Sequence, residues 1–220
     1  MEFVASAGLG MLLGVRHALE PDHIAAVTTL ITDARSRSKA AWLGVSWGVG
    51  HALTLFATGS LLVVLKAEMP AIVTQLLDLC VLLLLIGFGS RAIHLGARRV
   101  AAGPSHTHAI PRRLPVDRWT LARPFSVGAV HGLAGSGAVT AIIVAALAST
   151  PAQLGYLLLF GVGSTVGMAA LSGLLGWPLA RLGAHHVFVR SVSIAAGSVS
   201  TALGLVWAYP LLEQLFSRSS

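Results

Sequence analysis

Six long apolar runs constrain what this chain can become: residues 3–31, 41–65, 71–95, 124–149, 152–180 and 187–212. A hydrocarbon core roughly 30 Å thick is crossed by about 20 helical residues. Lipid offers backbone N–H and C=O groups no partners, so a crossing segment must satisfy its own, and a helix does so within one run. The expected fold is an all-α integral membrane protein with about six transmembrane helices. Composition agrees: a chain that is 55% hydrophobic and 10% charged, with mean hydropathy +0.80, lacks the polar surface of a soluble domain. Its 24 glycines would weaken helices in water, whereas in a bilayer small residues let helix backbones approach closely.

Most of the basic residues fall between the runs. Arg35, Arg37 and Lys39 precede the second run, Arg98, Arg99, Arg112, Arg113, Arg118 and Arg123 lie within 96–123, and Arg181 and Arg190 flank the last turn. Lys and Arg mark cytoplasmic loops, so this alternation predicts a multi-pass protein of the cytoplasmic (inner) membrane with both termini outside. Trp42, Trp119, Trp177, Trp207 and Tyr209 stand near run ends, where amphipathic rings favour the headgroups. These loops account for the formal net charge of +7. No aromatic residues interleave with them for base stacking, so the expected partner is the lipid bilayer and not nucleic acid. The first run has no basic stretch ahead of it and leads straight into charged residues, so it reads as a span and not a cleaved leader. The lone Cys80 excludes a thiolate cluster and reads as a buried small apolar residue.

Two segments repeat. GVRHALEPDH at 14–23 aligns with GAVHGLAGSG at 128–137, matching Gly14 with Gly128, His17 with His131 and Leu19 with Leu133. At nearly the same offset, GVGHALTLFATGSLL at 48–62 aligns with GVGSTVGMAALSGLL at 161–175. The alignment divides the chain into a three-helix repeat at 1–95, a basic cytoplasmic loop at 96–123 and a second three-helix repeat at 124–220. Three is odd, so the second repeat would enter the membrane in the opposite sense, as two inverted repeats.

The first repeat carries RHALEPDHI at 16–24, which sets Arg16, His17, Glu20, Asp22 and His23 inside an apolar run. Each charged group costs about 2.5–3.5 kcal/mol at the bilayer centre on insertion scales, so the cluster calls for a compensating role. Two imidazoles and a carboxylate suit borderline divalent ions such as nickel, cobalt, zinc or copper. On an unbroken helix His17 stands about 140° from Asp22 and about 120° from His23, so no single face presents all three. Pro21 removes a helical hydrogen bond and disfavours helical backbone at Glu20, predicting a first helix broken at the HALEPDH motif. The alternative is a proline kink whose polar residues satisfy one another, for instance Arg16 with Glu20 at i,i+4. In either case Arg16 and Glu20 read as charge-balancing or supporting groups.

His51, in SWGVGHALTL, and His131, in GAVHGLAGSG, lie well inside glycine-rich runs and join His17, Asp22 and His23 as candidate metal ligands. Ser136 and Ser164 occupy the repeat positions of Asp22 and His51 and are weaker candidates. Asp78 reads as a proton carrier or a helix-packing group. His106 with His108, and His185 with His186, read as solvated.

These residues resemble a known family. RHALEPDHIAAV is similar to the signature of the nickel/cobalt transporter (NiCoT) superfamily, a histidine, four residues, then Asp-His in an early transmembrane helix, here His17, Asp22 and His23. VGHALTL around His51 resembles the family's second histidine-containing helix, with Ala52 and Leu53 in place of its hydroxyl-rich continuation. The larger permeases have more spans and read Asp-Ala where Glu20 and Pro21 stand. A six-span chain with GLAGSGAV is more similar to the short urease- and hydrogenase-accessory nickel permeases. The resemblance implies a secondary transporter for nickel(II) or cobalt(II) as substrate, without a prosthetic group, and carries His17, Asp22, His23 and His51 over as metal-interacting positions. His131 is added by the internal repeat. The superfamily includes exporters with histidine-rich loops, and the low histidine content of 96–123 leans toward uptake.

On this reading the ion enters from outside, exchanges hydration for these ligands and leaves inward after helix repacking. GxxxxGK[ST] does not occur, so the chain carries no nucleotide loop of that kind. An intramembrane metalloenzyme is the first alternative, but H-E-x-x-H and a paired catalytic acid are missing, so an enzyme is not expected. An anion (sulfite-type) exporter leaves Glu20 and Asp22 awkward in its pathway, and a structural subunit leaves the polar cluster without a role. The sequence leaves open a homo-oligomer and a metallochaperone partner.

Overall fold

The computed structural model describes residues 2–31, 36–101, 118–134, 144–182 and 186–217, and among them the regular structure is helical throughout. In chain order the helices are α1 Glu2–His17, α2 Pro21–Ile31, α3 Arg37–Leu65, α4 Ala71–Ala101, α5 Arg118–Ala134, α6 Thr150–Leu182 and α7 His186–Ser217. Four stretches, Arg37–Leu65, Ala71–Arg98, Thr150–Pro178 and Val187–Leu211, are long and apolar enough to cross a membrane. Leu53, Leu61, Val64, Leu83, Leu174 and Val206 are exposed along them, apolar faces that suit lipid and not water.

Six crossing helices were expected and four long ones are found among the described residues. The run 3–31 is divided into α1 and α2, of 16 and 11 residues, and each alone is short for a bilayer. The run 124–149 overlaps α5, which begins earlier, at Arg118; residues 135–143 lie outside the described ones. The basic stretch 96–123, expected as a loop, is helical at both ends, through Ala101 and from Arg118. Hydropathy marks the depth of the lipid, whereas helical hydrogen bonding continues into the polar margin. The run 152–180 lies within one helix of 33 residues.

Glycines set the packing, because a Cβ at the crossing points would meet a neighbouring backbone. Along the α1–α6 contact, Gly14 abuts the Phe160 carbonyl and Gly163 the Met11 carbonyl. Along α3–α5, Gly128 abuts the Trp47 carbonyl and Gly50 the Phe125 carbonyl, the same pairings at the repeat-matched positions. Helices α4 and α7 cross reciprocally: Gly89 meets Gly197, Gly96 meets Ile194, and Gly204 meets Ile86. With Gly10 at Tyr156, Gly14 reaching Ser164 and Gly167 at Val15, α1 runs parallel to α6, and with Gly128 at Trp47 and Gly132 at His51, α5 runs parallel to α3. In the centre α3 and α6 run antiparallel, with Gly44 at Met168, Gly48 at Thr165 and Gly161 at Ala52. Among the described helices, α1, α3 and α4 therefore run opposite to α5, α6 and α7, the helices aligned with them in sequence.

Candidate metal centre

The break in the first run has a local cause. After α1 ends at His17, Leu19 N–H donates to the Arg16 carbonyl at 2.9 Å and Glu20 N–H to the His17 carbonyl at 3.0 Å, before Ile24 N–H to the Glu20 carbonyl at 3.0 Å opens α2. Pro21 is the first residue of α2, where a missing N–H leaves no intrahelical bond unmade. Asp22 lies in that first turn, where the helix N-terminus favours a carboxylate. His17 thus ends one helix while Asp22 and His23 begin the next, and the angular conflict of a continuous helix disappears.

Three further elements of chain meet this point. His51 comes from α3 and His131 from the last turn of α5, while Trp47 and Phe160 form apolar walls. His17, Asp22, His23, His51 and His131 are all buried, at 4, 4, 0, 0 and 2% exposure. The His23 ring lies 4.4 Å from that of His17 and 4.5 Å from that of His131, and His51 lies 5.2, 5.4 and 5.9 Å from His17, His23 and His131.

Two carboxylates decide the tautomers. Ionised carboxylates only accept, so a facing imidazole nitrogen carries the proton. His17 Nδ1 donates to Glu20 at 2.9 Å, and His23 Nδ1 and His131 Nε2 donate to the two oxygens of Asp22 at 3.0 and 2.9 Å. In the neutral rings this leaves lone pairs on His17 Nε2 and His23 Nε2. Both atoms are buried without a hydrogen-bond partner, as are both ring nitrogens of His51. Two groups of potential ligands result, His17–His23–His51 and Asp22–His23–His131, each with its donor atoms within 4.8 Å of one another. Buried imidazole nitrogens without partners are costly unless something fills the role, and a divalent ion does so.

The structure therefore brings together all five side chains singled out in the sequence. Glu20 pairs with His17 and not with Arg16, which is exposed. Ser164 is fully buried on α6 with its hydroxyl unpartnered, whereas Ser136, His106, His108 and His185 lie outside the described residues. Asp78 is partly buried on α4 and belongs to neither ligand group. Cys80, expected buried, is exposed, because an apolar run in a span turns part of its surface to lipid. Trp47 was not singled out, although it stands four residues before His51 and so shares its helix face. Phe160 stands at the position aligned with it in the second half of the sequence.

Fold and site together define a membrane-type helical protein with a buried histidine–aspartate cluster. The chain is similar to the urease accessory protein UreH of Bacillus sp. (strain TB-90), 29% identical over 215 residues, covering 92% of this chain and 90% of that protein. It is also similar to the Arabidopsis thaliana chloroplast proteins FOR GROWTH AND FERTILITY 1 and 2, each 27% identical, and spans 50 and 48% of their lengths. No family model matches the chain. No solved structure matches it.

Proposed function

We propose that this protein is a secondary transporter that carries a divalent transition-metal ion, nickel(II) or cobalt(II), inward across the cytoplasmic membrane. The observation that carries the reading is the convergence of unpartnered nitrogens from His17, His23 and His51 at a break in an apolar helix. Imidazole suits nickel and cobalt, and unwound backbone beside a buried polar site is how many membrane carriers hold an ion. Similarity to a protein named as a urease accessory protein and resemblance to the short accessory nickel permeases point the same way. The reciprocal glycine contacts and opposed helix directions support two inverted three-helix repeats. Six crossings follow if α1 with α2 makes the first and α5 opens the fourth. With both termini outside, an inside-negative potential favours entry of two charges by about 4.6 kcal/mol per 100 mV.

The test is uptake of labelled nickel by cells producing the protein, with cobalt and zinc as competitors. A variant carrying His17→Ala and Asp22→Ala should reduce accumulation to the level of cells without the protein. Unchanged accumulation would overturn the proposal.

A further inference from the structure

We infer that the cluster is two overlapping ion centres that share His23 and are filled one at a time, an imidazole centre of His17, His23 and His51 and a mixed centre of Asp22, His23 and His131. This rests on the metal-carrier reading and divides its site. His23 is nearly equidistant from His17 and His131, at 4.4 and 4.5 Å between ring centroids, and these two histidines are repeat-matched. Their surroundings match as well: the His17 ring packs on Phe160 at 5.2 Å and the His131 ring on Trp47 at 5.8 Å. His23 thus stands between corresponding positions of the two halves.

The two nitrogens of His23 face different centres. Nδ1 is on Asp22 at 3.0 Å, in the mixed group, while Nε2 is buried and unpartnered. A neutral imidazole has one N–H and one lone pair, so His23 can serve only one centre at a time. In this conformation the donors of the mixed centre are engaged with one another through both oxygens of Asp22. Those of the imidazole centre lack partners, and that centre is the one ready to receive an ion. An ion reaching the mixed centre must displace both hydrogen bonds of Asp22. Passage between centres moves it from contact with the first half's His17 to contact with the second half's His131, the exchange that a carrier built from opposed halves requires.

The full chain, purified in detergent, should bind one nickel(II) per molecule by calorimetry, and cobalt(II) should report ligand geometry through its visible absorption. His23→Asn should weaken binding about 10–100-fold or more, since it removes a donor from both centres. His17→Asn combined with His51→Asn should retain binding through the mixed centre, with a changed cobalt spectrum. His131→Asn should still bind nickel(II) at one per molecule by calorimetry but slow nickel entry into proteoliposomes at least tenfold. The glutamine variants replace any asparagine variant that does not elute as a single species. Two ions per wild-type chain, loss of binding in the His17/His51 variant as complete as in His23→Asn, or wild-type transport by His131→Asn would each overturn the two-centre arrangement alone. Failure of the wild type to bind nickel or cobalt would overturn the metal-carrier reading and the centres with it.

Discussion

Asp22 accepts His131 Nε2 at 2.9 Å, joining α2 to α5 across 109 residues of chain. Its other oxygen accepts His23 Nδ1 at 3.0 Å, so one carboxylate holds two rings. Asp22→Asn keeps one acceptor and turns an NH2 group toward the second N–H. Nickel affinity should fall about 10–100-fold, the usual cost of losing a group that orients a ligand. Asp22→Ala should further lower the unfolding temperature in detergent, since each N–H left buried without a partner costs about 1–3 kcal/mol. Calorimetric nickel titration and thermal unfolding separate the two effects.

Glu20 performs the same task for His17 from a more open position: its side chain is 46% exposed, against 5% for Asp22. Water can replace it in part. Glu20→Gln should therefore reduce nickel affinity less than Asp22→Asn does, with little change in thermal stability, when the two variants are titrated side by side.

Pro21 opens α2 and leaves no hydrogen bond unmade, so its removal relieves nothing locally. Alanine at this position permits helical backbone at Glu20, and a continuous helix would swing Asp22 about 140° from His17. Pro21→Ala should preserve or raise helical content by circular dichroism while lowering nickel affinity at least about tenfold. Unchanged affinity would mean that packing of α2 holds the break without the proline.

Lipid explains how much of this was legible in the sequence. In an apolar run a charged or imidazole side chain stands out, so His17, Asp22, His23, His51 and His131 could each be singled out, and Pro21 together with helical angles located the break. Interhelical contacts left no such mark. Trp47, an aromatic residue within an apolar run, carries no mark in the sequence of its place beside His23 and His131. Cys80 looked buried because hydropathy does not distinguish a protein-facing from a lipid-facing position. The crossing count is blurred where the polar cluster lies, since an apolar run interrupted by polar groups is no longer one long apolar helix.

Protons compete for the same lone pairs. Metal binds neutral imidazole, so acidification converts ligands to cations that repel the ion, and affinity falls as pH drops. With membrane potential held constant, initial nickel uptake by proteoliposomes should decline as outside pH falls from about 8 to about 5 and recover when pH is restored. A rate that rises on acidification would instead indicate that protons drive transport strongly enough to outweigh their competition.

Gly14 and Gly128 provide a matched pair for testing the packing. At each, an added Cβ would strike a backbone carbonyl, of Phe160 for Gly14 and of Trp47 for Gly128, and a carbonyl on a helix cannot rotate away as a side chain can. Gly87, by contrast, has nothing within 4 Å of where its Cβ would stand. Alanine at Gly14 or Gly128 should force α1 from α6 or α5 from α3 and destabilise the protein by about 1–3 kcal/mol. Gly87→Ala should be neutral or slightly stabilising, because alanine is the better helix former. The two crossings also position His17 and His131, each less than one helical turn from its glycine. Both destabilising variants should therefore lose nickel affinity together with stability, and Gly87→Ala should lose neither. Equal unfolding temperatures for all three variants would show that these close approaches relax at no cost.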